Sequence, residues 1–231
     1  MPLDPTTARN RLERVYERIR AACSRSGRDP ASVTLVAVSK THEAAAVAAL
    51  YLARQTLFGE SYVQEALPKL GSLAALPLRW HFIGRLQKNK AKYVAGRFEL
   101  IHSLDSLDLA NALHQKCTAL GITQRVLLQV NLAGEAAKAG CSPEEAAPLA
   151  EAIANMDTLK LQGLMLMPPW DEDPEVNRGL FAKARELKDQ LARQLRMELP
   201  HLSMGMSHDM EQAIEEGATL VRVGTDLFGA R

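Results

Sequence analysis

Hydrophobic positions along the 231-residue chain alternate between two rhythms. Short apolar runs rich in β-branched residues recur, and most are followed by segments with apolar residues every three or four positions. Thr34-Leu-Val-Ala-Val-Ser39 is the first such run, and continuous apolar character of this kind predicts a strand buried on both faces. Comparable runs cover 56–59, 79–84, 99–103, 125–131, 161–167, 202–206 and 220–224. Helical spacing predicts helices over 43–54, after the turn Gly59-Glu60-Ser61-Tyr62, and over 87–93, 107–120 and 143–156. A long stripe of Val176, Leu180, Phe181, Ala184, Leu187, Leu191 and Leu195 predicts another, and Ser207 opens one that reaches Glu216. Ahead of all of these, Asp4-Pro5 reads as an N-cap with proline at the first helical position. Leu12, Val15, Tyr16, Ile19 and Cys23 then mark one buried face of a helix over 5–25, ended by Gly27 and Pro30.

Eight strands in regular βα alternation favour a (β/α)8 TIM barrel over an open doubly wound sheet. The helix over 5–25 is extra to that pattern. No Gly- or Pro-rich linker and no composition shift divides the chain, so residues 1–231 are expected to form a single domain. Net charge is +1, which gives no global reason to expect nucleic acid or an acidic membrane as partner. Cys23, Cys117 and Cys141 are odd in number, widely spaced and in no CxxC pair, which argues against a disulfide framework and a zinc site. The N-terminus lacks the apolar stretch of a signal peptide, and no apolar run is long enough to span a bilayer. A cytoplasmic, soluble chain without a metal site is therefore expected.

Polar residues and glycines collect at the C-terminal ends of these strands, the face that carries the site in barrels of this kind. Lys40 follows the first strand and Ser61 the second. His81 to Gln87 surround the third, and Asn131 ends the fifth. Met204 to Ser207 follow the seventh, and Gly224-Thr225 the eighth. A lysine at the mouth of a buried strand can lose hydration and, with a lowered pKa, attack a carbonyl as a Schiff-base amine. On its own it reads better as a lysine that snorkels to solvent. Gly205 with Ser207, and Gly224 with Thr225, offer bare backbone N–H groups and hydroxyls at adjacent strand ends. Barrels commonly bind phosphate there, although each half taken alone is ordinary turn chemistry. Lysine with phosphate leaves two reactions open. One is a Schiff-base aldolase on a sugar phosphate, and the other is chemistry on pyridoxal 5′-phosphate (PLP). Arg222, inside the last strand, bears on the choice. Pointing inward it would meet a pyridine nitrogen as a permanently protonated donor, leaving the ring unprotonated and a weak electron sink.

The motifs Val36-Ala-Val-Ser-Lys40, Phe58-Gly-Glu-Ser-Tyr-Val-Gln-Glu65 and Trp80-His-Phe-Ile-Gly-Arg-Leu-Gln-Lys-Asn-Lys90 carry a resemblance. So do Ile101-His-Ser-Leu-Asp105, Gln129-Val-Asn131 with Glu135, Lys138 and Gly140, and Gly163-Leu-Met165 with Met167-Pro168. Leu202-Ser-Met-Gly-Met-Ser207 with Asp209-Met210, and Val221-Arg-Val-Gly-Thr225 with Phe228-Gly-Ala-Arg231, complete it. In order and spacing the chain resembles the pyridoxal phosphate homeostasis (PLP-binding) proteins, which are similar to the barrel domain of alanine racemase standing alone. The resemblance implies PLP as cofactor, Lys40 as its Schiff-base lysine, Ser207, Gly224 and Thr225 at the phosphate, and Arg222 at the pyridine nitrogen. Met204 and His81 would line the ring pocket. Ser61 stands where the family usually has asparagine, a shorter side chain facing the ring's phenolic oxygen. His208 stands where the family often has an acidic residue, which makes the phosphate mouth less negative.

Two-base racemisation needs a second acid/base group across the cofactor from the lysine. In alanine racemase that group comes from a further C-terminal domain of the partner chain, and this sequence ends six residues past Thr225. The resemblance thus implies a monomeric protein of vitamin B6 homeostasis, not an enzyme, that buffers PLP or delivers it to PLP-dependent apo-enzymes. The alternative is a weak PLP-dependent racemase, and a phosphate-binding aldolase barrel is the reading from another class. Lys88, Lys90 and Lys92 read as a solvated face and not as a nucleic-acid site. Met165, Met167, Met204 and Met206 read as barrel packing, and Trp170 with Asp171-Glu-Asp173 as a loop able to cover the mouth.

Overall fold

A computed structural model of the chain describes residues 3–134 and 139–229. The motif positions Glu135, Lys138, Ala230 and Arg231 lie outside the described residues. Eight parallel strands close into a barrel in chain order. They are β1 (Thr34–Val38), β2 (Leu57–Glu60), β3 (Arg79–Phe82), β4 (Leu100–Leu104), β5 (Gln124–Val130), β6 (Leu159–Leu166), β7 (His201–Ser203) and β8 (Leu220–Val223). β8 pairs back onto β1 with Val36 beside Arg222 and Ala37 beside Val223. The helices are α1 (Pro5–Arg25), α2 (Ala44–Leu52), α3 (Val63–Ser72), α4 (Ala91–Val94), α5 (Leu107–Leu120), α6 (Pro143–Ala154), α7 (Arg178–Leu195), α8 (Met210–Glu215) and α9 (Thr225–Phe228). Among the described residues no helix is long and apolar enough to cross a membrane.

The extra helix α1 begins where the sequence predicts. The Asp4 carboxylate accepts the N–H groups of Thr6 and Thr7 at 3.0 Å, so two otherwise orphaned donors are satisfied. Ala8, Leu12, Val15, Ile19, Ala22 and Cys23 are buried at helical spacing. Strands alternate their side chains, so one face of each packs under the helices and the other fills the barrel. Val36, Leu57, Leu100, Leu127, Met165 and Leu220 form the inner apolar plug, distinct from the outer core. Burying each such side chain stabilises the fold by roughly 1.5–3 kcal/mol.

Three elements differ from the sequence reading. The segment expected as a helix over 87–93 is a 3₁₀ turn, Lys88–Lys90, followed by the single turn α4, and Gly96 at φ 75° closes it. The long helix α7 begins at Arg178, after a separate 3₁₀ turn, Pro174–Asn177, that proline initiates. Ser207 does not cap a helix. The buried Asp209 carboxylate accepts the Met206 N–H at 2.7 Å, which folds 206–209 into a turn and delays α8 to Met210.

Candidate functional site

The strand ends enclose a cavity of about 550 Å³, within the usual range for a small-molecule site. Lys40, Ser61, Ser207, Arg222, Gly224 and Thr225 all line it, together with Tyr62, Ile83, Arg85 and Met206. No aspartate or glutamate is among the described residues that line it, whereas Lys40, Arg85 and Arg222 bring three basic side chains. The donor set suits an anion.

The backbone around Lys40 is pinned on both sides. Before it, the buried Ser39 donates its hydroxyl to Glu60 Oε1 at 2.7 Å, and its carbonyl accepts from Lys69 Nζ at 2.7 Å. Lys69 Nζ also meets Glu60 Oε1 at 2.6 Å, so a buried ion pair sits directly behind the Lys40 turn. After it, Thr41 holds φ at 66°, a left-handed conformation that a β-branched residue adopts at a cost, and its N–H donates to Glu65 Oε2 at 3.0 Å. His42 stacks on Phe228 at 4.6 Å, which joins this turn to α9. On the other side, Ser61 packs against Gly84. A Cβ on Gly84 would lie 2.1 Å from the Ser61 carbonyl oxygen, so the approach of the loops after β2 and β3 requires glycine there.

Arg222 is buried and enters the cavity from β8. Its Nη2 donates to the Leu166 carbonyl at 3.0 Å and its Nη1 to Ser203 Oγ at 2.7 Å. Ser203 Oγ lies 2.9 Å from His102 Nδ1, and His102 Nε2 lies 2.9 Å from His81 Nδ1. The arginine can only donate, so Ser203 Oγ accepts from it, and the hydroxyl and the two imidazoles continue from there as one buried hydrogen-bonded line. Burial drives His81 down to about 3 and His102 well below its ordinary value, so both rings are neutral at physiological pH. Burial also lowers Arg222, to about 10, which leaves it protonated at neutral pH.

Two expected ring-pocket residues are not among the cavity's lining. His81 points into the barrel but sits too deep, in the hydrogen-bonded line below the mouth, and Ile83, two residues further along, lines the cavity instead. Met204 points outward into the core beneath the helices. The reason is parity: Ser203 pairs with Leu220 and takes the inner face, so its neighbour must face out. Gly205, at φ 86°, then breaks the alternation and Met206 reaches the cavity. Met206 and Met167 therefore line the mouth, a correction to their reading as core packing. At the rim, Trp170 is 72% exposed and stacks on His208 at 6.2 Å, while His208 Nε2 donates to the Glu172 carbonyl. The sequence reading had no signal for the Glu60–Lys69 pair or the Ser203–His102–His81 line. Each joins strand or helix positions whose facing is set only when the barrel closes.

Residues 10–231 match the family described as alanine racemase, N-terminal domain. The pyridoxal phosphate homeostasis protein of Aquifex aeolicus is 48% identical over 221 residues, 96% of this chain and 97% of that protein. The structure of PipY from Synechococcus elongatus with PLP bound superposes with a TM-score of 0.82 at 40% identity, covering 93% of this chain and all (100%) of that one. The alanine racemase of Clostridium difficile shares the fold at a TM-score of 0.78 and 14% identity, covering 100% of this chain and 58% of that chain.

Proposed function

The chain belongs to the pyridoxal phosphate homeostasis protein family, a PLP-binding family with the alanine racemase type of barrel, and we propose that it holds PLP in the strand-end cavity through Lys40. One observation carries this reading: a lysine, a buried arginine and two hydroxyl-bearing strand-end turns converge on one cavity whose described lining lacks any carboxylate. PLP supplies an aldehyde that a lysine amine can capture and a ring that can delocalise charge. The Lys40 amine is the attachment point, presented by a turn that Ser39 and Thr41 hold from both sides. Ser207, Thr225 and the Gly224 backbone receive the phosphate. Arg222 faces the ring nitrogen as a cation that keeps its own proton, oriented by Ser203 and Leu166. Ser61 is nearest the role of the usual asparagine, and Ile83, Met167 and Met206 shield the ring from water. His81 supports the site from beneath, and Met204 anchors the end of β7 in the core under the helices.

Removing the two hydroxyls tests the phosphate assignment. Ser207→Ala with Thr225→Val should weaken PLP binding in a spectroscopic titration, by roughly 1.5–3 kcal/mol for each lost hydrogen bond to the charged phosphate. The visible colour should still develop at high PLP. An unchanged binding curve would move the phosphate elsewhere.

We further read residues 1–231 as one cytoplasmic, monomeric binding domain that stores PLP for apo-enzymes and does not turn amino acids over. Arg222 supports this, because an arginine donor withholds the proton that would make the ring a strong electron sink. Racemase assays on alanine and other common amino acids should therefore show trace activity at most. The loaded protein should also activate a PLP-dependent apo-enzyme faster than the same PLP free in solution. Ordinary enzymatic turnover that survives repurification would replace storage by catalysis.

A further inference from the structure

Behind the two turns assigned to the phosphate lies a side chain that does not line the cavity. Arg18 projects from α1, the helix extra to the barrel, toward the back of both turns. Its Nη2 donates to the Ser207 carbonyl at 2.8 Å, in the turn after β7. Its Nε and Nη2 grip both carboxylate oxygens of Glu211, at 2.6 and 2.8 Å, in the first turn of α8. Its Nη1 pairs with Asp226, in the first turn of α9 and next to Thr225. One guanidinium thus joins the two strand-end turns that are separate in the barrel itself. A second arginine of the same helix, Arg11, donates to the Leu227 carbonyl at 3.3 Å and steadies the far end of α9.

Charge makes this contact more than a brace. Glu211 and Asp226 are the acidic residues of the first turns of α8 and α9, the helices that follow the two turns. Left uncompensated they would oppose a phosphate dianion arriving at Ser207 and Thr225. Arg18 is only partly exposed, and the two carboxylates around it hold it more firmly protonated, the Glu211 hydrogen bonds most of all. We propose that Arg18 is a positioning and specificity residue: by tying Ser207, Glu211 and Asp226 together and offsetting half of the negative charge of the two carboxylates, it makes the cavity prefer the phosphorylated form of its ligand. The inference rests on the assignment of Ser207 and Thr225 to the phosphate.

Parallel titrations with PLP and with pyridoxal, which has the same aldehyde and ring but no phosphate, separate this role from a general structural one. Arg18→Met should weaken PLP by about tenfold or more while leaving pyridoxal within about twofold. Arg18→Lys, which keeps the charge but not the fork, should lose less. Asp226→Asn keeps Arg18 with its other partners and so guards against a variant that fails to fold. It should strengthen PLP severalfold relative to pyridoxal. Equal changes for both ligands in the Arg18 and Asp226 variants, or no change, would overturn the role of Arg18. The Ser207→Ala/Thr225→Val protein, titrated alongside, identifies which idea has failed. A selective loss of PLP there with none in Arg18→Met defeats Arg18 alone, whereas no selective loss there defeats the phosphate assignment and the inference with it.

Discussion

The Lys40→Ala protein should fold normally and, after loading with PLP at a concentration that saturates the wild type and removal of unbound PLP, lack the visible absorbance of the attached form. Lys40 is half-buried, in a turn outside any helix or strand. Truncating a side chain at such a position should cost less than about 1 kcal/mol of stability. The turn itself is held by its neighbours: Ser39 through Glu60 and Lys69, Thr41 through Glu65. What the substitution removes is the amine at the cavity, and only an amine can capture the aldehyde as a Schiff base. Arg222, Ser207 and Thr225 are untouched, so PLP should still enter weakly without the visible absorbance of the attached form. Visible spectra together with far-UV circular dichroism decide the matter. A Lys40→Ala protein that keeps the absorbance of the attached form after unbound PLP is removed, or borohydride fixing the cofactor to another residue, would show that the attachment point has been misassigned.

The second large effect is on stability. Lys69→Met should destabilise the fold by about 3–5 kcal/mol, the usual cost of stranding one charge of a buried pair. Glu60 is fully buried at the end of β2, and Lys69 reaches it from α3 with almost no exposure. Without the ammonium, Glu60 keeps the Ser39 hydroxyl as its remaining described partner, and its Oε2 already lacks a hydrogen bond. The Ser39 carbonyl loses one of its two donors in the same step and keeps the His42 N–H. In a chain of this size about 2–4 °C is expected per kcal/mol, so the melting temperature should fall by roughly 10 °C. Replacing both partners, as Glu60→Leu with Lys69→Met, should cost less than Lys69→Met alone, because no charge is left buried. Calorimetry of the two variants measures the coupling. A Lys69→Met protein as stable as its parent would mean that the pair does not hold the Lys40 turn.

The same pair shows why parts of the site escaped the sequence. Phe58-Gly-Glu-Ser-Tyr62 was legible as a strand with a turn, but nothing local says that Glu60 faces α3 while Ser61 faces the cavity. Lys69 reads as an ordinary helix lysine until the barrel closes around it. Arg18 is a further case, separated by 208 positions from Asp226.

Local chemistry settled much of this protein before any tertiary contact was known. Strand positions follow from β-branched apolar runs, the start of α1 from Asp4-Pro5, and the mouth from polar residues at strand ends. Lys40, Ser61, Ser207, Arg222, Gly224 and Thr225 reach one cavity because parallel strands all end on the same side. Depth and facing belong to the tertiary structure alone. A strand's alternation has two phases that the sequence leaves equivalent, and barrel closure selects one. That choice sends Met204 outward and Ser203 inward, sinks His81 into the line beneath Arg222, and brings Met206 to the cavity. Closure also brings α1 against α8 and α9, where the charge of Arg18 meets two carboxylates that lie at the other end of the chain.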